Sequence, residues 1–291
     1  MDCITRKAYA KINLGLDVLR KRPDGYHEVK MIMQTVDIWD LLTFSKSVKP
    51  EITLFCKGAR LPQDKKNLVY QAAELLREEY HIQEGVLITL EKNIPIAAGM
   101  AGGSTDAAAV FHAMNELFEL NMSIERMQEL GVKLGADIPY CIQGGTALSE
   151  GIGEKLTALP SPPPCFLVVA KPDIYVSTKY VYGNLHLDEQ LQHPDIDGMI
   201  TAIQNSDLLG ITARMGNVLE SVTTKDYPII EQIKQCMRDK GAVNALMSGS
   251  GPTVFGIFTQ EKQASEAVTC IREQKMATQI FLTKMIEGRV T

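Results

Sequence analysis

Residues 95–109 read PIAAGMAGGSTDAAA, a run of small side chains that begins at a proline and passes into alanines. Upstream, GVLITLEKNIP has the composition of a strand, and downstream TDAAAVFHAMNELFEL has the composition of a helix. A strand-to-helix junction with so little side chain exposes backbone N–H groups, and the helix N-terminus adds partial positive charge. That combination suits an anion such as phosphate. The same composition suits a tight, close-packed connection with no ligand. The run has neither the Gly-Lys-Ser/Thr ending of a Walker loop nor a G-x-G-x-x-G pattern, so it supplies no lysine of its own. Ser104 and Thr105 favour the anion reading, because their hydroxyls can cap the helix and face a phosphate or its metal.

Working outward, Ile12, Leu14, Leu16 and Val18 alternate with Lys11, Asn13, Gly15 and Asp17, which predicts a strand with one apolar and one polar face. RKRPDGYHE carries a Pro-Asp-Gly turn signal, and VKMIMQTVDIWDLLTF returns as a hairpin partner. NLVYQAAELLREEY predicts a helix with Leu68, Ala72, Leu75 and Leu76 on one side, and Ser123 is a good N-cap for a helix reaching about Leu134. Asp137 follows at a break, in LGADIPY. PSPPP at 160–164 resists both helix and sheet, so the domain boundary is placed there, giving domains of 1–160 and 161–291. The second domain opens with the strand CFLVVAKP and continues through a helix at IIEQIKQCMRDKG, strands at VNALMSGSG and TVFGIF, a helix at EKQASEAVTCIREQ and a last strand at QIFLTKMIEG. Strands mixed with helices in this order predict a two-layer α+β sandwich.

The chain of 291 residues is 45% hydrophobic, which supports an ample core. Thirty basic against 35 acidic residues give a net charge of -5, with no basic stripe, so nucleic acid is not expected as a partner. No apolar run approaches the ~18 residues of a membrane span, and the N-terminal segment lacks a signal peptide's apolar region, so no membrane association and a cytoplasmic location are expected. Six scattered cysteines and five dispersed histidines form no zinc pattern; reduced, mostly buried thiols are expected, with magnesium carried in by a phosphate as the expected metal.

On residue type alone, Lys11 reads as a solvated lysine, Asp137 as a turn cap, Tyr26 and His27 as exposed turn residues and GSGPT at 249–253 as a tight connection. Their order along the chain changes that reading. AKINLGLDVLRKRPDGYHE, the PIAAGMAGGSTDAA loop, LGADIPY, GIGEKL and MSGSGPTVFGIF together resemble the GHMP kinases, a superfamily of small-molecule kinases, and the resemblance covers essentially the whole chain.

The resemblance implies an α+β fold of two domains, the first ribosomal protein S5 domain 2-like and the second a ferredoxin-like α/β sandwich. The resemblance, in which RPDGYH is the most specific segment, further implies ATP-dependent phosphorylation of the 2-hydroxyl on the methylerythritol unit of a substrate with a cytidine diphosphate moiety, in non-mevalonate isoprenoid synthesis. A mevalonate- or homoserine-type kinase and a non-catalytic nucleotide sensor are the alternatives. By the same resemblance Lys11 and Asp137 flank the reacting hydroxyl. Pro95, Ala97, Ala98, Gly99, Met100, Ala101, Gly102, Gly103, Ser104 and Thr105 wrap the ATP phosphates, Ser104 approaching phosphate or Mg2+, and Asn67 lies near the adenine. Asn13, Tyr26, His27, Thr178 and Tyr182, with Asp137, hold the substrate, the aromatics reading the cytosine. A monomer or homodimer is expected. Relatives carry more glycine in the loop, often as G-x-G-L-G-G-G-S-S. Alanine disfavours positive φ, so any amide presented through that conformation is expected at Gly99, Gly102 or Gly103.

Overall fold

The apolar alternation around Ile12 becomes strand β1 (Cys3–Lys21), and the Pro-Asp-Gly turn returns the chain as β2 (His27–Ser47), antiparallel to it along nearly the whole length. The computed structural model describes residues 3–189 and 191–287. The alternation does not stay on one face. The β1–β2 register shifts between Asn13 and Gly15, and a bulge of this kind turns the following side chains over. Ile12 and Leu14 therefore pack with Ile32, Leu167 and Phe255, whereas Leu16 and Val18 pack with Met31, Met33 and Tyr140 on the other side. The polar face is also not solvated: Lys11, Asn13 and Asp17 are all buried.

Strand β3 (Ile52–Lys57), which the periodicity did not reveal, precedes α1 (Leu68–Glu79) and pairs in parallel with β4 (Gly85–Glu91). The α1 face that buries is Val69, Ala72, Ala73 and Leu76, one step round from the predicted one. Next come α2 (Gly102–Leu117), α3 (Ile124–Gly131) with Ser123 as its N-cap, and α4 (Ile138–Gln143). Strands β5 (Thr146–Gly151) and β6 (Lys155–Leu159) complete the N-terminal contribution to a seven-stranded sheet in which β3, β4, β2 and β1 are successive neighbours and β5 pairs with β2 and β6. Helix α2 buries ten residues, among them Val110, Phe111 and Met114, against this sheet and α1. Each such large side chain contributes about 1.5–3 kcal/mol of transfer free energy.

After the prolines, β7 (Phe166–Lys171) leads through the short helices α5 (Thr178–Gly183), α6 (Ile196–Gln204) and α7 (Leu208–Ala213) to a two-residue strand, β8 (Gly216–Asn217). Helices α8 (Glu220–Asp226) and α9 (Ile229–Asp239) follow, then β9 (Asn244–Met247), β10 (Val254–Phe258), α10 (Glu261–Glu273) and β11 (Gln279–Lys284). The second sheet runs β11-β7-β10-β9, antiparallel throughout. The predicted last strand is shorter than expected, and its final residue, Gly288, lies outside the described residues, as do residues 1, 2, 190 and 289–291 of the expected domains.

The sandwich has α9 and α10 on one face, where Ile233, Met237, Ala267 and Ile271 meet Val168, Ala170 and Phe258. Its other face is covered as well: Leu167, Val169, Phe255 and Ile257 pack on Ile12 and Leu14 of β1 and on Met199 and Ile203 of α6. The two halves are also stitched by backbone. β8 pairs in parallel with Gly15 and Leu16 of β1, Met285 bridges Val36, and the Ile286 amide donates to the Thr35 carbonyl at 2.9 Å.

Candidate active site

A single cavity of about 930 Å3 opens between the β1–β2 hairpin end, the loop before α2, the start of α4, α5 and the Ser248–Gly251 turn. Sixteen of the eighteen residues named above line it; Met100 and Thr105 do not. The Met100 side chain is turned into the core with Ala98, while its carbonyl accepts the Lys11 amide at 3.2 Å and ties the loop to β1. Thr105 is buried and donates its hydroxyl to the Tyr9 carbonyl at 2.7 Å, so it pins α2 to β1 instead of facing the cavity. Ser104 does line the cavity.

The loop corrects the expectation about glycine. Ala97 (φ 50°) and Ala101 (φ 55°) both adopt positive φ, as does Gly99 (φ 71°), whereas Gly102 and Gly103 lie inside helix α2. Alanine in this region costs about 1–2 kcal/mol. The cost is met because Ala98 and Met100 are anchored in the core on alternate positions, leaving 97, 99 and 101 to turn the chain. Positive φ at alternate residues is the backbone pattern in which successive N–H groups converge on an anion. Gly99 is required for a second reason. A Cβ there would lie 2.1 Å from the Ser248 carbonyl oxygen, because the loop and the Ser248–Gly251 turn meet backbone to backbone. The Ser248 hydroxyl donates to the Gly99 carbonyl at 2.9 Å, and the Asn217 side chain holds the turn by donating to the Met247 and Gly249 carbonyls, both at 2.8 Å.

Lys11 is 5% exposed and donates to Asn13 Oδ1 at 2.8 Å and to the Gly99 carbonyl at 3.4 Å. Its Nζ lies 4.0 Å from Asp137 Oδ2. Asp137 precedes α4 but makes no side-chain capping bond, which leaves its carboxylate to the cavity and to Lys11. At the far end, the His27 and Tyr182 rings approach with centroids 5.1 Å apart and planes tilted by 42°, and Tyr26 is 58% exposed beside them. Burial, with a contribution from the Lys21 charge, pulls the His27 pKa below the ordinary histidine value, which favours a neutral imidazole. Burial pushes the Tyr182 phenol up, assisted by Asp137. Thr178 and Ser250 share a hydroxyl contact of 2.8 Å across the cavity wall. At the opposite end the amide of Asn67 is already engaged: Oδ1 accepts from the Val69 amide as the cap of α1, and Nδ2 donates to the Pro62 carbonyl at 2.8 Å.

Sequence reasoning missed a buried ionic cluster beneath the loop. Lys92 Nζ donates to Asp40 Oδ2 at 2.5 Å and Asp106 Oδ2 at 2.6 Å, and Asp40 also accepts from the Asn93 and Ile94 amides. Lys92 thus sits 3.0 Å from where a Gly102 Cβ would lie, a lysine brought to the loop from the end of β4. Burial opposes its charge, but the two carboxylates outweigh burial and hold its pKa above the usual lysine value. Asp106 is pushed well above the carboxylate range by burial, opposed by Lys92 and reinforced by Asp40, and its Oδ1 has no hydrogen-bond partner. The available signal was Asp106 inside an apolar helix and Lys92 directly before the loop, neither of which stands out by residue type.

Among the described residues no group of three or more His, Cys, Asp or Glu side chains is placed to hold a metal, no helix is long and apolar enough to cross a membrane, and all six cysteines are free, two of them buried. The profile of the GHMP kinases N terminal domain matches residues 67–145, and that of the GHMP kinases C terminal domain matches residues 199–276. The chain is 52% identical over 289 residues to a 4-diphosphocytidyl-2-C-methyl-D-erythritol kinase of Lachnoclostridium phytofermentans, covering 99% of both chains. The chain belongs to the GHMP kinase family. A second relative of this GHMP kinase, the enzyme of the same name from Clostridium perfringens, is 49% identical over 97% of this chain and 98% of its own. Among solved structures, a 4-(cytidine 5'-diphospho)-2C-methyl-D-erythritol kinase superposes with a TM-score of 0.82 at 30% identity, covering 98% of this chain and all of the other. A homoserine kinase from Cytophaga hutchinsonii superposes at 0.80 with 22% identity over 100% and 96% of the two chains, which speaks to the fold alone. The two-sheet α+β architecture of this GHMP kinase is accordingly that of the family, and its amine–carboxylate pair beside an amide-lined loop has the components that phosphoryl transfer to an alcohol needs.

Proposed function

We propose that this chain transfers the γ-phosphoryl group of ATP to the 2-hydroxyl of 4-diphosphocytidyl-2-C-methyl-D-erythritol. The observation that carries the mechanism is the placement of Lys11 and Asp137, 4.0 Å apart in one cavity, between a loop built for phosphate and a pair of rings suited to a base. Residues 1–160 supply the loop, the pair and the hairpin end, and 161–291 supply Thr178, Tyr182 and the Ser248–Gly251 turn.

The Asp137 carboxylate accepts the alcohol proton as the oxygen attacks, and the Lys11 ammonium offsets alkoxide character and charge on the transferring phosphoryl oxygens. Asn13 and the Gly99 carbonyl orient that ammonium, so Lys11 is linked directly to the loop whose amides hold the phosphates. The rest of the rate comes from alignment, for which the backbone contact between the loop and the turn is the fixing element. His27, held neutral, offers one ring nitrogen as donor and one as acceptor to a cytosine edge, with Tyr26 and Tyr182 as apolar faces.

Magnesium bound with the nucleotide would neutralise phosphate charge, and the hydroxyl of Ser104, which lines the cavity, would be available to hold it. A coupled kinase assay on the cytidylyl substrate, mevalonate and homoserine, with and without magnesium, tests the reading. Turnover of the cytidylyl compound alone is expected. Turnover of mevalonate or homoserine instead, or nucleotide binding with no turnover of any of the three, overturns it.

A further inference from the structure

Five lysines line the cavity: Lys11, Lys21, Lys66, Lys92 and Lys179. Two are committed to carboxylates, Lys11 to Asp137 and Lys92 to Asp40 and Asp106. The other three form no ion pair among the described residues. Lys66 adjoins Asn67 at the start of α1, on the side of the phosphate loop. Lys21 and Lys179 lie at the opposite end. Lys21 is the last residue of β1 and pairs across the hairpin with His27, close enough for its charge to act on that imidazole. Lys179 is in α5 three residues before Tyr182, the ring packed on His27, and next to Thr178, whose hydroxyl meets Ser250. Both lysines therefore line the cavity beside the elements that carry the aromatic pair, one from each half of the chain. Arg20 and Arg22, the other cations of the hairpin end, are occupied by Glu28 at 2.5 Å and by Asp24 at 2.8 Å.

A substrate in which a diphosphate joins the base to the reacting polyol brings two negative charges into the stretch between the ring pair and the Lys11–Asp137 pair. Lys11 is needed at the transferring group, and Lys92 is held between Asp40 and Asp106, so neither is free to neutralise that bridge. We infer that Lys21 and Lys179 clamp the diphosphate of the cytidylyl substrate from two sides and set the preference of this site for a nucleoside diphosphate over the bare nucleoside. The inference rests on the substrate proposed above and adds to it the residues that recognise the bridge. Both lysines are solvent-exposed, so the attraction is screened by salt and each contributes modestly.

The test is calorimetric binding of cytidine, cytidine monophosphate and cytidine diphosphate to the full chain and to Lys21→Gln, Lys179→Gln and the double variant, alongside the kinase assay. Cytidine diphosphate is expected to bind more tightly than cytidine, with a gap that narrows as salt rises. Each single variant is expected to weaken the diphosphate about two- to fivefold, and the double variant on the order of tenfold, with cytidine unaffected. Arginine at either position should restore most of the loss, and the KM for the cytidylyl substrate should rise while that for ATP holds. An unchanged diphosphate-to-cytidine ratio in the double variant, in a protein that still phosphorylates the cytidylyl substrate, removes the clamp and leaves the proposed function standing. A parent chain that neither binds cytidine diphosphate nor phosphorylates the cytidylyl substrate removes both.

Discussion

Replacing Gly99 by alanine perturbs the one point where the phosphate loop, Lys11 and the Ser248–Gly251 turn meet. The added methyl would lie 2.1 Å from the Ser248 carbonyl oxygen, and the backbone on one side must retreat by roughly 1.5 Å to restore ordinary contact. At φ 71° the alanine also carries about 1–2 kcal/mol of conformational cost, the amount Ala97 and Ala101 already bear in the same loop. The retreat strains the 2.9 Å bond from Ser248 and the 3.4 Å contact from Lys11, and losing the first forfeits about 1 kcal/mol. Together these give a destabilisation of about 2–3 kcal/mol. A misplacement of ~1 Å at a reacting site lowers kcat on the order of 100-fold. Urea unfolding and steady-state kinetics measure both effects. Gly103→Ala is the control, since its nearest neighbour would be the Leu68 side chain at 3.5 Å within helix α2, and it should unfold no earlier than the parent. If Gly99→Ala unfolds with the parent and keeps kcat within threefold, the backbone contact does not fix the loop.

Asp137→Asn should retain nucleotide and cytidine diphosphate binding but lose turnover by on the order of 100-fold or more, and near-parental turnover would take Asp137 out of the mechanism. Lys92→Met leaves Asp40 and Asp106 facing each other without a cation in a buried site, which predicts a loss of about 3–5 kcal/mol in urea unfolding; a loss below 1 kcal/mol would show the cluster to be replaceable. His27 has a folded pKa below the unfolded value of 6.5, so its contribution to stability is whole above that value and is lost as pH falls, the unfolded chain taking the proton first. The kcat/KM for the cytidylyl substrate should accordingly hold through mild acidification, and Lys21→Gln should move its acid limb to higher pH. A limb that stays in place in that variant would disconnect Lys21 from His27.

The elements whose side-chain period matches one buried face were legible: the hairpin, α2, α9, α10 and the strands of the second sheet follow from apolar spacing and turn chemistry. The failures have local causes. Alternation through Ile12 to Val18 suggested one constant face, but the register shift at Asn13 and Gly15 turns it over, and no residue there announces a bulge. Strand β3 alternates poorly because Phe55 points to solvent while Leu54 is buried. In the site, Lys11 and Asp137 were singled out through the family resemblance and the structure brings them together, whereas the Thr105 hydroxyl turns to Tyr9 and not to the cavity because chain order does not say which side chains of a loop turn inward. The positive φ of Ala97 and Ala101 ran against residue preference, and only the anchoring of Ala98 and Met100 makes it affordable. Lys92 and Asp106 carried only a faint sequence signal, a lysine before the loop and an aspartate inside an apolar helix, since a buried ionic cluster is defined by elements far apart in the chain.

The pairing of β8 with β1 gives the proline stretch a restricted role. Four prolines between two sheets invite the idea of a hinge, yet the chain beyond them comes back to extend the first sheet and to fill its core. Swinging the halves apart would tear hydrogen-bonded strand and expose oil to water, so substrate entry must rely on loops at the rim. For the same reason, neither half produced as a separate fragment would keep its surface sealed, and recombining halves between distant relatives would require matching the seam before matching the catalytic groups.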